Sequence, residues 1–357
     1  MKHKQLGSWE IKKTNTSSAL KKFGISVTSI VLGLLFAGLF VLITGKDPLQ
    51  LYSEIFQSSV GSIYGLSETL VEMIPLAFCS LGVSLAFRMQ LWNIGAEGQF
   101  CMGAFGATYF ALFFSDLPKL IMLPLMLLAG FICGGLWALI PAIPKAFWNV
   151  NETISSLLLN YVAYFWMAYL VYGPWKDPKG NNFPLTKPFP DSATIPVFGN
   201  TRISYAIFLV VIIAVAMFFL IKYSKWGYEI SVSGSSRKAA DYAGMSYVKN
   251  VLMVMFLSGS ISGIAGMAEV SGVLHRLQQT ISPGYGYTAI LIALLARLNP
   301  FSILLVSFLM GGLLVGGFSL QTSGFPSSMV SMFQGSILFF VLAGEVFNNY
   351  RLVRKKA

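Results

Sequence analysis

The sequence predicts an all-α, polytopic membrane protein with about ten transmembrane elements, one of them short or re-entrant, and both termini cytoplasmic. Three observations carry this. Hydrophobic residues make up 55% of the 357-residue chain and charged residues 11%, against roughly 25% charged in a soluble domain. Apolar runs long enough to span a bilayer recur along the chain. Glycine (34) and phenylalanine (29) are abundant, as where helices pack closely in lipid.

The elements follow in order. Residues 1–23 form a basic cytoplasmic segment. Residues 24–44 make the first span; no small-x-small cleavage site precedes Lys46, so the run reads as a retained helix and not a signal peptide. Later runs are 66–87 (with Glu72 and Pro75), 91–114, 120–143, 154–172, 203–221, 251–272, the half-length 285–296, 301–320 and 329–347. Together, 24–347 read as a single transmembrane domain, and 348–357 as a basic cytoplasmic tail. With the N-terminus inside, the inner side holds 18 Lys and Arg and the outer side seven, the positive-inside bias. The formal charge of +11 therefore orients spans and does not mark a nucleic-acid surface.

The longest outer loop, 173–202, carries Pro174, Pro178, Pro184, Pro188, Pro190 and Pro196 and is expected to be extended and stiff. It reads either as a lid or contact surface for an external partner, or as a tight connection.

Three polar clusters interrupt the apolar runs. In the first, Asn93 and Glu97 are four apart and are expected to share a helix face, with Gln99 beside them. Gly95 and Gly98 permit close approach or a break. A carboxylate at mid-depth costs about 2.5 kcal/mol or more, so Glu97 either lines a pathway or braces a broken helix, or else caps locally at the interface. The second cluster places Glu152, Ser156 and Asn160 at i, i+4 and i+8. Asn149 or Asn151 caps that helix; the stripe suits interhelical bonding or a hydrophilic pore wall. In the third, Pro283 and Gly284 open the short apolar piece bearing Tyr285, Tyr287 and Thr288, and Asn299-Pro300 closes it. That pattern matches a discontinuous element lining a cavity.

Glu345, near Arg351, reads as structural; Glu72 and Glu269 stay open. Cys79, Cys101 and Cys133 lie in apolar runs and read as packing residues. His3 and His275 are isolated, so neither metal nor cofactor is expected. The GxxxG pairs Gly130–Gly134, Gly259–Gly263 and Gly312–Gly316 allow close helix approach. No GxxxxGK[ST] loop holds ATP phosphates, and no catalytic set is present.

The polar, basic island 222–250 faces the cytoplasm in this topology. Ser235 or Ser236 caps a short helix with core 237–243 closed by Gly244. Its low apolar bulk favours docking a protein over lying on headgroups.

The stretches NIGAEGQ (93–99), NETISSLLLNYVA (151–163), SSRKAADYAGM (235–245) and GYGYTAILIALLARLNP (284–300) together resemble permease subunits of bacterial ABC importers for nucleosides and simple sugars. One mild departure is Thr153, where the family more often has Val. The resemblance implies a ten-helix importer fold in the bacterial plasma membrane. It implies a coupling helix docking in a separate ATPase with two nucleotide-binding halves, mapped onto Ala239, Ala240 and Gly244 with Arg237 and Asp241 beside them. It also implies an extracytoplasmic substrate-binding lipoprotein and a second permease subunit. The expected function is a nucleoside permease without an ATPase site of its own. The alternatives are a simple-sugar permease, an ion-gradient secondary transporter and a membrane scaffold.

Overall fold

The computed structural model describes residues 5–6, 9–13, 19–43, 45, 47–322, 326 and 328–354. Expectations resting on Lys2, His3, Lys4, Thr44, Lys46, Lys355 and Lys356, and on the side chains of Glu345, Arg351 and Arg354, lie outside the described residues.

In chain order the helices are α1 (Ala19–Ile43), α2 (Pro48–Val60), α3 (Ile63–Arg88), α4 (Ala96–Phe113), α5 (Lys119–Trp148), α6 (Glu152–Tyr172), α7 (Ala206–Tyr223), α8 (Lys225–Ser235), α9 (Arg237–Tyr242), α10 (Tyr247–Glu269), α11 (Tyr285–Leu295), α12 (Pro300–Thr322) and α13 (Ser328–Asn349). A π-helical turn, Val270–Leu274, extends α10. All ten expected elements are helices. Among the described residues six are long and apolar enough to cross a membrane: α3, α5, α6, α7, α10 with its π turn, and α12. A bent pair, Thr28–Ile43 with Pro48–Val60, adds one more if counted as a single span.

The chain divides into two units, Ser59–Val315 and Met1–Ser58 with Gly316–Ala357. In the unit containing both termini, α1 packs on α13, and the Tyr52 hydroxyl of α2 donates to the Leu34 carbonyl at 2.5 Å. The helical class expected holds, with one local departure. The terminal segments pair as a small antiparallel sheet, β1 (Gln5–Leu6), β2 (Trp9–Lys13) and β3 (Tyr350–Arg354).

In the other unit the core is α3, α4, α5 and α10. Two of the three GxxxG motifs meet each other there. A Cβ on Gly263 would lie 2.1 Å from the Gly130 carbonyl oxygen, and one on Gly259 2.5 Å from that of Gly134. Backbone–backbone contact this close admits no side chain, so α5 and α10 touch along glycine. The serines of α3 are compatible with burial because they bond their own helix: Ser80 Oγ donates to Leu76 O and Ser84 Oγ to Leu81 O.

The proline-rich stretch 173–202 lacks regular structure apart from one 3-10 turn, Asp191–Ala193. It is pinned along the end of α10: Thr186 N–H donates to Leu277 O, Phe189 N–H to His275 O and Ile195 N–H to Ser271 O. Arg202 pairs with Glu68 at the start of α3 at 2.8 Å.

Candidate translocation site

The first departure from the sequence reading builds the site. The third element is helical only from Ala96; residues 91–95 are not helical. Asn93 and Glu97 therefore do not share a helix face. Asn93 precedes the helix and folds back onto it, its amide pairing reciprocally with that of Gln99 at 2.9 Å in both directions. The Asn93 amide also donates to Ser258 Oγ at 2.8 Å and its oxygen accepts from Gly95 N–H at 3.1 Å. All three of Asn93, Glu97 and Gln99 are buried.

A non-helical stretch leaves backbone groups without partners, and lipid supplies none. The expected stripe on α6 answers this. Asn151 caps α6, accepting from Thr153 and Ile154 N–H, while Asn149, left-handed, closes α5. Glu152, Ser156 and Asn160 are all buried on one face. Glu152 accepts from Trp92 N–H at 3.2 Å and pairs with Lys145 at 2.9 Å. Ser156 sits against Gly95. Asn160 accepts from Gly98 N–H and donates to Ile94 O, each at 2.9 Å. The stripe thus faces a neighbouring segment and replaces the hydrogen bonds that the break removes.

Glu97 points the other way, to the start of α11. Its carboxylate accepts from Gly286 N–H at 2.6 Å and from the Tyr164 hydroxyl. Ser282 Oγ takes Gly284 N–H at 3.0 Å and Tyr285 N–H at 2.9 Å. A carboxylate at a helix N-terminus satisfies orphan donors and meets the positive end of the dipole. Gly286 is required here, since a Cβ would fall 2.3 Å from Glu97 N. Glu72, left open by the sequence, accepts from the Tyr285 hydroxyl at 2.8 Å. Glu269 is buried at the end of α10.

Tyr285 and Thr288 are buried, whereas Tyr287 is 38% exposed and its hydroxyl accepts from the Asn160 amide at 3.1 Å. Tyr161, next to Asn160 in the chain on α6, is 55% exposed. Each of α6 and α11 thus carries an exposed tyrosine near Asn160, Tyr161 as its chain neighbour and Tyr287 as its hydrogen-bond partner. Tyr164 was not singled out from sequence, although it continues the Glu152–Ser156–Asn160 stripe by one further step of four. Ser258 and Ser282 carried no sequence signal, because isolated serines are common in spans.

The second candidate region is α9, N-capped by Ser236, whose hydroxyl accepts from Ala239 N–H at 3.3 Å. Gly244 follows with φ +74°, the left-handed close expected. Arg237, Ala239, Asp241 and Gly244 are exposed, and Tyr242 is 97% exposed. Ala240 is fully buried within the chain's own fold, so it is not part of an outward docking surface. Its helical phase, one residue past Ala239, turns it inward. The longer helix α8 before α9 was not expected.

Comparison with known proteins gives the following. A family described as branched-chain amino acid transport system / permease component matches residues 65–342. The chain is 37% identical to a glucose ABC transporter permease of Haloferax volcanii, covering 94% of this chain and 91% of that protein. It is 32% identical to the guanosine ABC transporter permease NupP of Bacillus subtilis (89% and 92%) and 27% to the nucleoside permease NupB of Lactococcus lactis (90% and 91%). A solved inward-facing ABC transporter shares the fold, with TM-score 0.50 at 20% identity, over 92% of this chain and 100% of that one.

Proposed function

The chain belongs to the branched-chain amino acid transport system / permease component family, an integral membrane transport component of ABC uptake systems, and from that premise we propose that it carries nucleosides across a bacterial plasma membrane. The ten expected elements then all lie in the membrane as one domain, with both termini and 222–250 in the cytoplasm. The observation that carries the substrate is the pair of exposed tyrosines, Tyr161 and Tyr287, with Asn160 bonded to the Tyr287 hydroxyl. Flat rings stack on a base, and neutral hydroxyl and amide groups replace water on an uncharged solute without trapping it. Permeases named for guanosine and nucleosides are among the relatives.

A second reading, a simple-sugar permease, has its own support, because the Haloferax relative at 37% identity is named for glucose. Labelled nucleoside and labelled glucose uptake by cells expressing the complete system separates the two. Nucleoside uptake that excess glucose does not inhibit supports the first; the reverse pattern supports the second. Membership in an ABC family leaves the ion-gradient transporter without support.

In this reading α9 docks in a separate ATPase with two nucleotide-binding halves. Tyr242, Arg237 and Asp241 present the contact, Gly244 sets the turn, and Ala240 anchors the helix from inside. A second permease subunit completes the pathway, and a substrate-binding lipoprotein meets the outer surface that includes 173–202. Tyr242→Ala removes the most exposed ring and is expected to weaken recovery of the ATPase with the permease by ~10-fold or more, with insertion unchanged; undiminished co-purification overturns this docking assignment.

A further inference from the structure

Beneath the exposed α9, helix α8 is anchored twice. Asn250 of α10, buried, accepts from Trp226 Nε1 at 3.0 Å and donates to Glu229 at 3.3 Å and Ser233 at 3.4 Å. Gly234 of α8 lies on the end of α3: a Cβ there would meet the Arg88 carbonyl oxygen at 2.4 Å and Met89 Cα at 2.9 Å. Movement of α8 at Gly234 therefore meets backbone, which cannot yield as a side chain does.

Arg88 continues the contact. Its guanidinium Nη2 donates to the carbonyl of Leu298 in the turn between α11 and α12. Arg88 Nε is buried with no hydrogen-bond partner among the described residues. The turn itself is unusual. Arg297 and Leu298 are consecutive non-glycine residues in the left-handed region, at φ +50° and +59°. That conformation crowds Cβ in any L-residue and persists where surroundings impose it. The guanidinium bond, charge-assisted, is one such constraint. At its other end α11 is held by Glu97 and Ser282 and carries the exposed Tyr287.

We infer that Arg88 is a positioning residue for coupling: it holds the Arg297–Leu298 turn in its left-handed form and passes displacement of α8 to α11. This rests on the proposed docking of an ATPase at α9. The residue touches neither substrate nor ATPase, so its effect falls on the link between hydrolysis and transport.

The test uses the full chain in its complete transport system. Readouts are membrane level, ATPase recovery and hydrolysis in the purified complex, and uptake of labelled adenosine, guanosine, uridine and cytidine. Arg88→Met keeps the apolar stem and removes the donor. It is expected to lower uptake ~10-fold while hydrolysis and ATPase recovery stay near wild type. Leu298→Gly allows the left-handed turn without the Arg88 constraint but supplies no link from α3 to that turn, so the double variant R88M/L298G is expected to stay uncoupled. An arginine that serves only to hold the strained turn is rescued by that glycine. Gly234→Ala, pressing on the Arg88 carbonyl from α8, is expected to uncouple in the same sense. Wild-type uptake by Arg88→Met, hydrolysis and uptake falling in parallel, rescue of uptake in R88M/L298G, or failed insertion of both Arg88→Met and Gly234→Ala each overturn the inference. If the wild-type chain recovers no ATPase, the docking reading fails instead. If it recovers ATPase and takes up none of the four nucleosides, the substrate reading fails while the hydrolysis readout still tests Arg88.

Discussion

Helices α3 and α7 are both of span length, yet they occupy opposite environments. Helix α7 is the more apolar, without a polar side chain from Ala206 to Ile221, and only 22% of it is buried within the protein. Helix α3 contains Ser67, Glu68, Thr69, Glu72, Ser80 and Ser84, and 83% of its most apolar 18 residues are buried. A soluble protein has the reverse order. Lipid is as apolar as leucine, so nothing drives aliphatic residues inward; small residues that pack and polar residues that find partners go to the centre. The same contrast holds within the core between α10, 78% of whose most apolar 18 residues are buried, and α5, which meets it along a glycine face and buries 28% of the corresponding stretch. In this chain, polarity within an apolar run marks the core.

Substitutions break or sharpen this comparison, the largest expected in the core. Gly263→Leu on α10 forces a side chain into the Gly130 carbonyl. Overpacking costs about 1–3 kcal/mol where neighbours can shift, and backbone on both sides cannot. The expected outcome is loss of monodisperse protein on size-exclusion chromatography in detergent. Well-folded protein at wild-type yield means that α5 and α10 separate easily, and the core reading fails.

Asn160→Leu is next. It leaves Ile94 O and Gly98 N–H without their partners, at about 1–3 kcal/mol for each buried group. Detergent melting temperature and uptake per membrane-inserted protein are both expected to fall. An unchanged melting temperature with lost uptake assigns Asn160 to the pathway and not to bracing.

Glu97→Gln retains an acceptor for Gly286 N–H but removes the charge facing the α11 N-terminus, worth about 0.3–2 kcal/mol. Most uptake is expected to remain, with a small drop in thermal stability. Complete loss of uptake at normal expression makes the carboxylate itself part of transport.

Ile212→Val on α7 is the smallest. Ile212 is 61% exposed, so a change within about 0.5 kcal/mol is expected. A large loss of folded protein identifies α7 as a protein contact, the surface for a second permease subunit being the first candidate.

Tyr287, Asn160 and the capping of α11 follow the same logic at the scale of single residues. The stripe Glu152–Ser156–Asn160 was legible because a spacing of four keeps residues on one helix face, and the structure keeps them there. The start of α4 was not legible. Asn93 and Glu97 have helical spacing, but Asn93 sits before the helix, and nothing local distinguishes a polar first turn from a polar break.

The sequence alone determined the class of protein, the approximate position of ten of its helices, the cap and close of α9, and which polar residues are out of place in lipid; α2 and α8 were not among them. These are read from composition, periodicity and turn chemistry, which are local. Tertiary structure decided where those polar residues turn. Glu97 caps a helix some 190 residues further along the chain, and Arg88 reaches a carbonyl 210 residues away. Ala240 points inward while Ala239 points out. The physical reason is that a polar group in the membrane fixes only its need for a partner. Which partner it finds depends on the close approach of helices through glycine, and contacts between distant segments are not written in either segment's local pattern.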